Sequence, residues 1–120
     1  MTVVHESPVD LSHYTYRVTW SAEDEEFVAT CVEMPSLSWL DSSPERALSG
    51  LQDLVGDVLV DMQESGEKIP EPLSTRSYSG RFNLRVGPAL HRRLAMEAAE
   101  QGVSLNQLIL GLLQARSGTR

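Results

Sequence analysis

The stretch Arg81-Phe82-Asn83-Leu84-Arg85-Val86 decides how this chain is read. Phe82, Leu84 and Val86 fall on one side and Arg81, Asn83 and Arg85 on the other. That is the period-two pattern of a strand with one buried face and one used or solvated face. Downstream, Gly87-Pro88 ends the strand and starts a helix to about Gln101, with Leu90, Leu94, Ala95 and Ala98 on its apolar side. Gly102 stops that helix. Ser104 and Gln107 have capping-box spacing, and Leu105, Leu108, Ile109, Leu112 and Leu113 form the next apolar stripe. Residues 80–116 therefore read strand, helix, turn, helix, with 117–120 as a tail.

A single strand has no partner for its backbone groups, and so short a unit rarely buries enough surface to fold unaided. Two copies can pair their strands antiparallel, bury Phe82, Leu84 and Val86 of both chains against four helices, and form a homodimer, with a tetramer of two dimers left open. The outer face of the ribbon then carries two sets of Arg81, Asn83 and Arg85. A two-stranded ribbon fits the major groove, where arginine bonds guanine bidentately and asparagine does the same with adenine. The other reading of this face is the solvated side of an ordinary edge strand. His91, Arg92 and Arg93 are read either as phosphate contacts or as a solvated helix face.

The run Arg81-Phe82-Asn83-Leu84-Arg85-Val86-Gly87-Pro88 through Gly102-Val103-Ser104-Leu105-Asn106-Gln107-Leu108 resembles ribbon-helix-helix repressors of the Arc/MetJ superfamily. The resemblance implies operator DNA as a partner. It puts base reading on Arg81, Asn83 and Arg85, the dimer core on Phe82, Leu84 and Val86, and phosphate anchoring on the backbone amides of Ser104, Leu105 and Asn106.

The net charge of −7 over 120 residues looks wrong for a nucleic-acid binder until it is divided along the chain. Residues 1–79 hold 4 Lys+Arg against 15 Asp+Glu, a net −11, whereas residues 80–120 hold 6 against 2, a net +4. The basic end suits phosphate and the acidic front suits a basic protein. A hydrophobic fraction of 41% beside a charged fraction of 22% argues against wholesale disorder.

In the acidic front, Tyr14, Tyr16, Val18 and Trp20 alternate with polar residues as a strand, and Phe27 to Val32 reads as its hairpin partner across Ser21 to Glu26. Ser36 to Leu40 supplies a third strand. Ser42 or Ser43 caps a helix with Pro44 in its first turn. Ala47, Leu48, Leu51, Leu54, Val55, Val58, Leu59 and Met62 then mark a long amphipathic helix ending near Ser65-Gly66. The expected organisation is a flexible tail over 1–13, an acidic domain over 14–66 with 79 as its outer limit, and a linker over 67–79 with room for a short strand at Thr75 to Tyr78. The fold class is α+β.

Residues 14–72 are similar to the N-terminal domain of HicB-family antitoxins. The resemblance rests on the hairpin entering Phe27-Val28-Ala29, on Glu33-Met34-Pro35-Ser36, on Ser43-Pro44-Glu45-Arg46-Ala47-Leu48, and on Gly66-Glu67-Lys68-Ile69-Pro70-Glu71-Pro72. Where that family often has Pro-Gly-Cys, this chain has Pro35-Ser36-Leu37. The resemblance implies a curtailed ribonuclease H-like sheet plus helix without nuclease activity. It also implies a partner, a small basic HicA-like messenger-RNA interferase neutralised by the acidic domain, and hence an antitoxin that represses its own operon. A charge of −11 fits electrostatic pairing with such a toxin without identifying it. The dense acids Glu23, Asp24, Glu25 and Glu26 read as a solvated hairpin tip or as a toxin contact.

Other functions fit the sequence less well. A two-metal nuclease needs carboxylates converging on ions about 4 Å apart, whereas Asp53, Asp57, Asp61 and Glu64 recur at helical spacing along a solvent face, and Glu33 is nearly alone on the strands. His5, His13 and Cys31 form no recognisable catalytic arrangement, and the glycines match no phosphate loop. Cys31 and Trp39 read as core or interface residues. No catalytic residue, metal site or cofactor is expected. No apolar run is long enough to cross a membrane and Met1 to Ser12 has no export-signal pattern, so a cytoplasmic protein without membrane association is expected. The alternative is a solitary ribbon-helix-helix regulator with no toxin, its front domain serving oligomerisation or ligand sensing.

Overall fold

The computed structural model describes residues 9–118 and divides into two compact units between Tyr78 and Ser79. The first is a three-stranded antiparallel sheet, β1 (Tyr16–Ser21), β2 (Glu26–Cys31) and β3 (Ser38–Asp41), in the order β1-β2-β3, followed by α1 (Pro44–Glu64). The second contains α2 (Pro88–Gln101) and α3 (Leu105–Ser117). The protein is α+β, as its patterns indicate.

Burial explains the sheet. Along β2, Phe27, Ala29 and Cys31 face α1, and Ala29 and Cys31 are fully covered. Cross-strand partners Trp20 and Trp39 share that face, opposite Phe27 and Ala29 respectively. Trp20 meets the Phe27 ring edge-on at 5.0 Å. On α1 the fully buried residues are Ala47, Leu51, Val55 and Leu59, a spacing of four that draws one stripe along the helix. The Ser43 hydroxyl caps α1 by accepting from the Arg46 N–H, and Pro44 sits where its missing N–H is harmless.

Gly50 has a packing role. A β-carbon built there would overlap the indole of Trp39, so the helix and β3 approach this closely only because residue 50 lacks one. Gly50→Ala is therefore expected to push the indole outward. The stability change should be small, because alanine in a helix is better than glycine by about 1 kcal/mol and this offsets much of the lost contact. In a Trp20→Phe background, Trp39 emission should move to the red; unchanged emission would mean that the ring does not rest on the glycine.

Glu33 ties the segment after α1 to the sheet. Its carboxylate accepts from the Thr15 N–H (2.9 Å), the Thr15 hydroxyl (3.1 Å) and the Leu73 N–H (2.9 Å). Beside it, the Tyr14 hydroxyl donates to the Pro70 carbonyl and the Ser74 hydroxyl to that of His13. This gives physical content to the Glu33-Met34-Pro35-Ser36 and Ile69-Pro70-Glu71-Pro72 motifs. Burial raises the Glu33 pKa, but the N–H groups of Leu73 and Thr15 outweigh it and hold the carboxyl below its ordinary 4.5. A depressed carboxylate contributes stability above its unfolded-state pKa that is lost as pH falls through the folded value. Glu33→Gln is expected to destabilise the sheet unit by about 1–3 kcal/mol at neutral pH, and to flatten the stability loss of the natural chain below about pH 4.5. Thermal melts across pH 3–7 check both.

Some boundaries differ from the sequence reading. Thr75 to Tyr78 is not a strand: the N–H groups of Thr75 and Arg76 both donate to the Pro72 carbonyl, and the chain turns there. The tail expected over 1–13 falls partly outside the described residues, as does His5. Of its remainder, Leu11–His13 forms one 3-10 turn, with Asp10 accepting from the Ser12 N–H, and Val9 and Leu11 pack against the core. Two apolar residues across one turn are too few to register as a pattern.

Candidate nucleic-acid interface

The second unit begins at Ser79, whose hydroxyl accepts from the Arg81 N–H and donates to the Arg81 carbonyl. Residues 81–86 belong to neither helix nor strand. A strand is defined by its pairing, and within the described residues of one chain no segment pairs with them. Gly87 precedes α2 at the N-cap with Pro88 behind it. The helix ends at Gly102, whose left-handed φ of 72° lets its N–H reach the Ala98 and Ala99 carbonyls while the Val103 N–H also reaches Ala98.

At the start of α3, the Ser104 hydroxyl accepts from the Gln107 N–H at 3.0 Å and the Gln107 side chain accepts from the Ser104 N–H at 2.9 Å. This capping box changes one expectation. The Ser104 amide is already engaged, so of the three amides expected to anchor phosphate, those of Leu105 and Asn106 in the first turn are the ones left open at the positive end of the helix dipole. The signal was in the sequence, since the same Gln107 that completes the box uses the Ser104 N–H.

Arg81, Asn83 and Arg85 are all exposed, and no ion pair within the described residues involves them. Phe82 and Leu84 are also exposed, at 76% and 63%, and Val86 is half-buried. Residues 80–86, α2 and α3 enclose an open cleft of about 770 Å³ whose apolar walls include Phe82, Leu84, Val86, Leu94, Ile109 and Leu113. Arg81 and Asn83 line it too, and Arg85 does not, so the two sides of the alternation are not separated within one chain. His91, read from sequence only as a phosphate contact or a solvated group, also lines this cleft. Arg92 and Arg93 are exposed on α2.

Asp53, Asp57, Asp61 and Glu64 all lie exposed along α1, and among the described residues no three His, Cys, Asp or Glu side chains are grouped to hold a metal ion. Cys31 is buried, which pushes its thiol up and keeps it protonated. Among the described residues no helix is long and apolar enough to cross a membrane.

No curated protein and no solved structure matches the chain significantly. A family model described as HicB family matches residues 64–113, from the last residue of α1 through residues 80–86 and α2 into α3. The sheet and most of α1 lie outside that match. Over the stretch holding Arg81, Asn83, Arg85 and the α3 N-terminus, the chain is thus similar to the HicB family.

Proposed function

We propose that this chain is the antitoxin of a type II toxin–antitoxin pair, which binds and neutralises a HicA-like messenger-RNA interferase and represses its own operon by binding operator DNA. One observation carries the DNA-binding half. In the second unit the buried hydrophobic residues are Ala98 and Leu108, while Phe82, Leu84, Leu110, Leu112 and Leu113 stand exposed. A unit with so small a core and so much exposed apolar surface calls for a partner. A second copy supplies it: residues 81–86 of two chains pair antiparallel as a ribbon, and Phe82, Leu84 and Val86 close the clefts.

The ribbon-helix-helix so formed presents Arg81, Asn83 and Arg85 from both chains to the major groove. The Leu105 and Asn106 amides hold phosphates on either side. Base contacts give sequence choice and phosphate contacts give register. The first unit, read as a curtailed ribonuclease H-like domain, brings the acidic surface that suits a basic toxin, with a net −11 over residues 1–79. The family match over residues 64–113 supports the toxin–antitoxin side of this reading.

The test is co-expression with the product of the adjacent reading frame, expected to be a small basic protein, followed by mass measurement of the purified species and operator binding. A stable complex that shifts operator DNA is expected. A homo-oligomer that ignores its neighbour yet binds DNA would favour the solitary regulator instead.

A further inference from the structure

Two tryptophans stand open on the side of the sheet that faces α1. Trp20, the last residue of β1 to point that way, is 55% exposed, and Trp39 on β3 is 41% exposed. Between them runs β2, with Phe27 paired to Trp20 and Ala29 to Trp39, so the two indoles flank the start of that strand on a diagonal. Trp20 rests edge-on against Phe27, and the Trp39 indole lies over Gly50. Each ring is thus supported on one side and bare on the other. A single exposed tryptophan is ordinary, but two supported on one face make a surface.

The charges around these rings are acidic. The hairpin tip that follows Trp20 carries Glu23, Asp24, Glu25 and Glu26, and its turn is held by the Ser21 hydroxyl donating to the Asp24 carboxylate at 2.9 Å. Asp53 and Asp57 come three and seven residues after Gly50, hence on the side of α1 where Trp39 lies, and both are exposed. The four cations of residues 1–79 do not offset these acids. Arg46 is bound by Asp41 at 3.0 Å. Arg17 is on the opposite face of the sheet, since its neighbours Tyr16 and Val18 point into the core. Lys68 and Arg76 line a separate hollow with Val32 and Glu33, past the far end of β2.

We propose that Trp20 and Trp39 anchor the surface on which the first unit receives a basic protein, whose arginine or lysine side chains lie over the two indoles while the flanking carboxylates pair with the charges beside them. The proposal rests on the toxin-binding half of the proposed function and assigns it a face. Tryptophan is the best of the aromatic platforms for a cation, and a guanidinium stacked on it keeps its N–H edge free for a carboxylate. The two kinds of group contribute differently. Tryptophan anchors at the centre of an interface carry most of the binding energy, whereas charges at its rim act chiefly on the rate of encounter. The acids draw in any cation, and the supported rings select a partner that fits them.

The experiment uses the full chain with its only two tryptophans replaced by fluorotryptophan, and the product of the adjacent reading frame as the probe. Both fluorine resonances, assigned with Trp20→Phe, are expected to shift when the probe is added. By surface plasmon resonance, Trp20→Ala is expected to weaken the complex roughly 30-fold or more, mainly through faster dissociation. Asp53→Asn combined with Asp57→Asn is expected instead to slow association and to lessen its dependence on salt. A probe that binds without moving either resonance, or that binds Trp20→Ala as tightly as the natural chain, overturns the proposal and leaves the toxin reading standing. A natural chain that forms no complex brings down the toxin reading and the proposal with it. Resonances that change with the chain's own concentration and not with the probe make this a self-association face, which also overturns the proposal. Should Trp20→Ala fail to fold, the fluorine shifts of the natural chain decide.

Discussion

Replacing Leu84 by Asp is expected to leave the chain monomeric and unable to bind operator DNA. Within one chain the residue is 63% exposed, so a carboxylate there costs the isolated unit little. In a paired ribbon the same position lies in the dry centre, and burying an unpartnered carboxylate costs several kcal/mol unless it takes up a proton or the ribbon opens. The large effect therefore reports an interface that a single chain does not contain. Sedimentation velocity should show the oligomer lost, while a melt of the sheet unit, whose core lies in the other compact unit, stays where it was. A Leu84→Asp protein that remains an intact oligomer would show that these residues are not its core.

The structure and the sequence agree where one chain suffices to bury the pattern. The stripe Ala47, Leu51, Val55 and Leu59 on α1, the alternation through β1 and β2, and the Ser104–Gln107 box all find their partners within reach. The contacts that escaped the pattern depend on residues distant in the chain or on single atoms. Glu33 reaches Leu73, forty residues away, with the carboxylate that also holds Thr15, and Gly50 matters because of what Trp39, eleven residues earlier, does above it. Neither has a periodicity to read. Residues 81–86 are the opposite case: the alternation is plain in the sequence, yet one chain offers no second strand to satisfy it.

The cleft brings a similar lesson for the candidate site. Arg81, Asn83 and Arg85 were legible as a set because alternation singles them out, and all three are exposed. His91 was not, because a histidine beside two arginines on a helix reads as part of a basic face. Only the packing of α2 against α3 shows that this exposed residue lines the cleft while Arg92 and Arg93 stay outside its walls. The charge asymmetry has the same two-level character. The chain is acidic overall, but residues 80–120 carry +4, and a whole-chain value conceals it.

Asn83→Ala and Arg85→Ala are expected to keep the dimer and its melting temperature nearly unchanged but to lose preference for the operator. Both side chains are exposed and outside the buried cores, so their removal takes nothing from folding. In a ribbon laid in the major groove, each would offer a bidentate contact, asparagine to adenine and arginine to guanine, and each such contact discriminates by about 1–3 kcal/mol. Twofold symmetry removes two contacts per substitution, so the summed loss on operator is on the order of 2–6 kcal/mol, with little change on scrambled duplex. Arg92→Ala and Arg93→Ala form the contrast: charges that meet phosphate weaken all duplexes alike and flatten the salt dependence of binding. Titrations on operator and scrambled DNA at two salt concentrations separate sequence reading from phosphate attraction. Dimeric Asn83→Ala and Arg85→Ala proteins that retain full operator preference would move the reading head off the ribbon and end the case for residues 81–86 as the DNA-binding surface.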